Sequence, residues 1–153
     1  MLGWVDILLR LGAAMLIGGI VGLNRELHHK PTGLRTLSLV SLGSALTVLA
    51  VAQDPQADIS RAIQGVITGV GFLGAGVILH PATGGDQVHG LTTAAVIWVT
   101  AAMGILCGVG AWSILAIAVP LLLAVLLFGG PVEKWCHKLL GSDDEPPLPK
   151  GPP

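Results

Sequence analysis

The chain of 153 residues carries few charges for its apolar content. Apolar residues make up 52% and charged residues 11%, whereas a soluble domain has roughly 25% charged residues. Such a composition excludes an ordinary soluble domain, because so few charges cannot keep that much apolar surface in water. The formal net charge of -1 also gives no sign of the basic surface that binds nucleic acid.

Five apolar runs follow one another along the chain. They cover residues 7–23, 36–52, 62–79, 91–108 and 112–128, close to the roughly 17–25 residues that a helix needs to cross a bilayer. None alternates with period two, which disfavours a barrel. The sequence therefore predicts an all-α polytopic membrane protein, a bundle of about five transmembrane helices, with Pro120 kinking the fifth.

The runs divide the chain into a membrane part and a tail. The transmembrane domain is predicted to cover residues 1–130. Residues 131–153 should form a short amphipathic stretch and a disordered, proline-rich tail that buries too little apolar area to fold.

Lysine and arginine are distributed unevenly between the two sides of the predicted bundle. Arg10 and Arg61 lie on one side, and six basic residues lie on the other: Arg25, Lys30, Arg35, Lys134, Lys138 and Lys150. Basic residues favour the cytoplasmic side in short loops. The bias predicts that the first loop and the C-terminus are cytoplasmic.

Glycines recur at a spacing that permits close contact between membrane helices. The pattern GxxxG occurs three times, and the third run holds further glycines. The predicted helix-packing positions are Gly18, Gly22, Gly65, Gly69, Gly71, Gly74, Gly76, Gly104 and Gly108. Because the third run is the richest in glycine, we expect it to be the packed centre of the bundle.

Polar residues at the ends of the runs form the candidate functional set. They are Arg25, Glu26, Arg35, Thr36, Asp58, Arg61, Gln64, Thr92, Thr93, Trp98 and Thr100. Asp58 and Arg61 are three residues apart and can pair on one helix face. Thr92 and Thr93 can cap the fourth helix or bond to a neighbouring helix. The basic residues can equally serve to set topology alone.

No arrangement in the sequence indicates an enzyme, a cofactor or a metal site. His28 and His29 are adjacent and would point apart on a helix. The apolar runs hold no serine with a histidine base and no paired aspartates, which hydrolytic chemistry would need. We therefore expect a protein that is not an enzyme and that binds no cofactor or metal.

The chain strongly resembles the MgtC/SapB family of bacterial inner-membrane proteins. The resemblance covers about residues 7–112 and rests on residues 18–26, 33–36 with 39–40, 58–76, and 90–95 with 97–98, above all Gly-Phe-Leu-Gly-Ala-Gly and Gly-Leu-Thr-Thr-Ala-Ala. It implies a five-helix inner-membrane domain with roles in adaptation to low magnesium and in virulence. For one member it implies restraint of the proton-driven ATP synthase.

The chain departs from the family's usual pattern at a few places. Asn24, Leu37 and His89 stand where an acidic, a polar and a more strongly basic residue are common. Residues 129–153 are also too few for the soluble C-terminal domain that some members carry, so we expect the transmembrane domain alone.

Two functional hypotheses follow. In the first, the protein regulates a membrane complex by helix–helix contact, with the lipid bilayer and a membrane-protein partner or a homo-oligomer as its partners. In the second, an oligomer transports magnesium or another ion along Asp58, Gln64, Thr92 and Thr100. Magnesium prefers carboxylate and water ligands, and the predicted topology places the two candidate carboxylates, Glu26 and Asp58, on opposite sides.

The predicted orientation can be measured in intact cells. Single cysteines at Gln56 and Ser142, on a background without Cys107 and Cys136, should differ in labelling by a membrane-impermeant thiol reagent. We expect Gln56→Cys to react and Ser142→Cys to stay unlabelled until the membrane is opened. The reverse pattern would show that the bundle is inverted.

Overall fold

The computed structural model describes residues 2–78 and 90–140. These residues form five helices: α1 (Trp4–Leu27), α2 (Leu34–Val51), α3 (Ile59–Ile78), α4 (Leu91–Val109) and α5 (Trp112–Leu140). Each includes a segment long and apolar enough to cross a membrane. The predicted all-α polytopic architecture is thereby confirmed. His89 and the predicted disordered tail, residues 143–153, lie outside the described residues.

The chain separates into two compact units, residues 1–119 and 120–153. The first contains α1 to α4 and the beginning of α5, and the second contains the rest of α5. That helix continues to Leu140 with Pro120 and Pro131 inside it, although the sequence predicted that the fifth run would end at residue 128. Membrane helices tolerate internal proline where other groups satisfy the freed backbone carbonyl.

In the first unit, α4 is the central helix. It packs against α1, α2 and α3, and 56% of its apolar window is buried, compared with 11% for α3. The prediction that the third run is the packed centre is therefore wrong. Apart from the backbone of α3 itself, no atom of the described residues lies within 4 Å of the position that a Cβ would take at Gly65, Gly69 or Gly71. Of the α3 glycines, Gly74 is buried, with Ala94 of α4 beside it.

Glycines of α1 and α4 bring both helices against the backbone of α2. A Cβ at Gly22 would lie 2.6 Å from Leu34 Cα, and one at Gly108 would lie 2.8 Å from the Ala45 carbonyl oxygen. A Cβ at Gly18 or Gly104 would overlap the carbonyl oxygens of Leu37 and Ser41, respectively. Only glycine fits at these four positions, since the neighbouring atoms are backbone and cannot rotate away.

The end of α4 is held by α1. Gly110 follows the helix with a positive φ of 76°, and its N–H and that of Ala111 donate to Cys107 O and Leu106 O, which is a Schellman ending. Arg10 Nη1 donates to Gly108 O at 2.9 Å, and Arg10 Nε donates to Asp6 at 3.0 Å. A cation at a helix C-terminus meets the negative end of the helix dipole.

The glycine contacts can be tested with one substitution and a matched control. Gly104→Ala should destabilise the protein by about 1–3 kcal/mol through overpacking against Ser41, despite alanine's better helix propensity. Gly65→Ala gains the same propensity and has open space around the new methyl group, so it should be neutral or stabilising. Thermal unfolding of both purified variants in detergent measures the difference. Equal melting temperatures would contradict this packing.

Candidate functional site

The α1–α2 turn is a short, constrained connection. Glu26 accepts a hydrogen bond from the Leu34 backbone N–H at 3.2 Å, so its carboxylate stabilises the positive end of the α2 dipole. His29 and Thr32 have positive φ values of 51° and 63°, which side-chain-bearing residues rarely adopt. This turn therefore has a defined backbone shape at the predicted cytoplasmic end of the bundle.

An open groove of about 810 Å³, lined by both polar and apolar surface, lies beside this turn. Arg35 and Thr36 of the candidate set line it, at the exposed start of α2. The full lining comprises Leu23, Glu26, His29, Lys30, Gly33, Leu34, Arg35 and Thr36. Three of the candidate residues, Glu26, Arg35 and Thr36, are thus brought together in the structure.

Arg25 does not face that groove but is buried against α4. Only 5% of its surface is exposed, and Nη2 donates to Thr93 Oγ1. Its Nε is buried and has no hydrogen-bond partner. Of the two alternatives for Thr93, the structure shows the bond to a neighbouring helix, since α4 begins after Gly90 without a side-chain cap. Thr92 is exposed.

Asp58 lies at the opposite end of the bundle, where it caps α3. Its carboxylate accepts hydrogen bonds from the Ser60 hydroxyl at 2.6 Å and the Ser60 N–H at 3.0 Å. These two bonds, the hydroxyl first, lower the pKa of the exposed Asp58 carboxyl below its ordinary value of 3.8. The predicted pair with Arg61 is not formed: the one ion pair within residues 2–78 and 90–140 joins Arg10 to Asp6. Asp58 precedes the helix, so its carboxylate turns to the free N–H groups of the first turn.

The four residues of the hypothetical ion path do not line one surface. Thr100 is fully buried on α4 and its hydroxyl has no partner. Gln64 and Thr92 are exposed on α3 and α4, and Asp58 is exposed before α3 begins. Trp98 is also turned outward, with 46% of its surface exposed. A single chain therefore encloses no continuous row of these side chains.

One side of α3 carries polar and small residues that nothing in the described chain covers. Gln64, Gly65, Thr68 and Gly69 are all exposed, and we refer to these four residues as the α3 face. Gln64 and Thr68 are one turn apart, as are Gly65 and Gly69, so the pairs run side by side along the helix. Gly76 lies near the end of the same helix.

Two parts of the polar framework were missed at the sequence level. Asp6 and Arg10 are four residues apart on α1, a spacing that itself suggests an ion pair, yet the contact of Arg10 with Gly108 O has no local signal. Ser41 is buried with an unpartnered hydroxyl. It lies within an apolar run, where no local sequence pattern marks it as part of a polar contact.

Among the described residues, no group of three His, Cys, Asp or Glu side chains is placed to hold a metal ion.

Five apolar helices, a glycine-packed interior and polar residues confined mainly to helix ends define a polytopic membrane protein. The chain belongs to the MgtC family, whose profile matches residues 11–135. It is 46% identical to Protein SrpB of Synechococcus elongatus over 123 residues, 72% of this chain and 68% of that protein. No solved structure matches the chain significantly.

Two proteins named MgtC are similar at about the same level. Protein MgtC of Brucella abortus is 40% identical over 116 residues, 75% of this chain and 48% of that protein. Protein MgtC of Salmonella typhimurium is 41% identical over 103 residues, 67% of this chain and 43% of that protein. The chain therefore spans about half the length of these two relatives.

The capping role of Asp58 predicts a pH-dependent start of α3. Because the folded-state pKa is lowered, the stabilisation is complete above the ordinary pKa of 3.8 and is lost as pH falls through the lowered value. Ser60→Ala removes the hydroxyl donor and should raise the Asp58 pKa toward 3.8, whereas Arg61→Gln should leave it nearly unchanged. Carboxyl ¹³C titration by NMR measures both. A larger shift in Arg61→Gln would show that an ion pair, rather than the cap, holds this carboxylate.

Proposed function

We propose that the protein is a non-enzymatic regulator that acts by docking the α3 face against a helix of another membrane complex. The observation that carries the proposal is the exposure of Gln64, Gly65, Thr68 and Gly69 on a helix otherwise suited to lipid. Gly18, Gly22, Gly104 and Gly108 pack inside the bundle, whereas the two glycines of the α3 face have open space around them and can admit a partner helix.

The physical reason is the chemistry of this face in a bilayer. Gln64 lies about 7.5 Å along the axis from the start of α3, and Thr68 about 13 Å. A lipid tail can offer the Gln64 amide no hydrogen bond, whereas a partner helix can, and glycines let the two backbones approach closely. Such interhelical polar contacts contribute roughly 0.6–2 kcal/mol each.

The family supports a particular kind of partner. The resemblance implies adaptation to magnesium limitation and virulence and, for one member, restraint of the proton-driven ATP synthase. We propose that this chain contacts such a proton-driven complex in the bacterial inner membrane, with its C-terminus in the cytoplasm. The groove beside Arg35 and the cap at Asp58 lie at the two ends of the helices and would fix the depth of docking.

Inverted membrane vesicles that contain ATP synthase provide the test. Added protein should reduce ATP-driven proton pumping, and Gly69→Leu should abolish most of the effect because leucine keeps the partner backbone away. Gly43→Leu is the matched control, since Gly43 is an exposed glycine on α2 with no atom within 4 Å of its Cβ position. Asp58→Ala and Arg35→Ala should weaken the effect. Equal inhibition by Gly69→Leu and Gly43→Leu would show that the α3 face is not the docking surface.

Ion transport is the alternative, and the same variants separate it from regulation. Liposomes loaded with a magnesium-sensitive dye should show no protein-dependent flux if the protein is a regulator. Magnesium flux that Asp58→Ala abolishes, together with unchanged proton pumping in vesicles, would favour the transporter.

A further inference from the structure

The two arginines of α1 meet the two ends of α4 in opposite electrostatic situations. Arg10 lies at the C-terminus of α4, where the helix dipole favours a cation, and it also pairs with Asp6. Arg25 contacts Thr93 in the first turn of α4, where the dipole is positive and a cation is disfavoured. Arg25 is thus a buried charge that is repelled by the helix it touches.

No acidic group among the described residues neutralises Arg25. The adjacent Glu26 turns to the Leu34 N–H of α2 instead, and the one ion pair of the described chain is that of Arg10. A buried charge without a counter-charge is costly, and natural proteins rarely keep one unpaired. A negative charge near the start of α4 would therefore offset the buried positive charge of Arg25.

Two sets of hydrogen-bond donors near the start of α4 have no partner among the described residues. Arg25 Nε is buried without a partner, and in a guanidinium group Nε–H forms a fork with an N–H of Nη2 that fits a pair of oxygens. The α4 start has no side-chain cap, and the first intrahelical bond to Gly90 O comes from the Ala94 N–H. The N–H groups of Leu91, Thr92 and Thr93 are therefore left at the open end of the helix.

We infer that Arg25 and the first turn of α4 form a binding site for a phosphate oxyanion. Helix N-termini bind phosphate through free N–H groups and the dipole, and arginine adds a forked, permanently charged donor. The same chemistry is offered by the headgroup of an anionic phospholipid and by free inorganic phosphate. This site does not depend on the α3 face, so either proposal can fail without the other.

Two binding measurements on the purified full chain identify the source of the oxyanion. Equilibrium dialysis with radiolabelled inorganic phosphate tests the free ion. Native mass spectrometry of protein exchanged into detergent with phosphatidylglycerol or phosphatidylcholine tests the lipid. We expect saturable binding of one phosphate or one phosphatidylglycerol per chain, with phosphatidylcholine bound more weakly because its headgroup has no net charge.

Arg25→Gln should weaken that binding at least tenfold. Arg35→Gln is the matched control, because Arg35 is an exposed arginine at the same end of the bundle and should change affinity less than twofold. Arg25→Lys keeps a positive charge at this position, so the protein should remain folded. Because lysine lacks the forked pair of N–H donors, this variant should also lose most of the binding affinity. Absence of Arg25-dependent binding in both measurements overturns the inference.

An acidic residue of the chain itself is the competing source of negative charge. Asp86 is the acidic residue nearest to Gly90 in sequence. If Arg25→Gln destabilises the wild-type chain but not the Asp86→Asn chain, and neither probe binds, an internal carboxylate neutralises Arg25 and the inference is wrong.

Discussion

The fold depends on the contact of two helices with the backbone of a third. Gly18 and Gly22 of α1 and Gly104 and Gly108 of α4 leave no room for a side chain beside α2. In lipid there is little hydrophobic drive between helices, so packing and polar contacts must hold them. Gly18, Gly22, Gly104 and Gly108 supply that packing against α2.

The same contacts explain why α1 carries the two interior arginines. With the glycines of α1 seated on α2, Arg10 reaches the end of α4 and Arg25 reaches its beginning. The Arg10 contact is electrostatically favourable, and both Nε and Nη1 of Arg10 have hydrogen-bond partners. The Arg25 contact is electrostatically unfavourable, and Nε of Arg25 has no partner in the described part of the chain. The start of α4 is therefore a place where a buried donor has no partner among the described residues. The exposed α3 face is a second place where the described residues offer polar groups to a partner.

The sequence predicted the number and type of the helices because composition and run length decide whether a segment can cross a bilayer. It did not predict which helix is central, because GxxxG spacing shows that a face permits close approach but does not identify what approaches. Gly65 and Gly69 have the same spacing as Gly104 and Gly108, yet a Cβ at either would meet no neighbouring element of the described chain. The candidate polar residues were found at helix ends, but the pairing of Arg25 with Thr93 across 68 positions has no local signature.

Disulfide trapping between α3 and α4 tests the central claim most directly. A Cβ at Gly74 would lie 3.4 Å from the Ala94 Cβ, which is close to the distance in a disulfide. The pair Gly74→Cys and Ala94→Cys, on a background without Cys107 and Cys136, should therefore cross-link rapidly under mild oxidation. Gly69→Cys with Ala94→Cys should not, because Gly69 lies on the exposed α3 face. Efficient cross-linking of the second pair and none of the first would mean that the glycine-rich face of α3 packs against α4, which would contradict both the contact through Gly74 and the exposed docking surface.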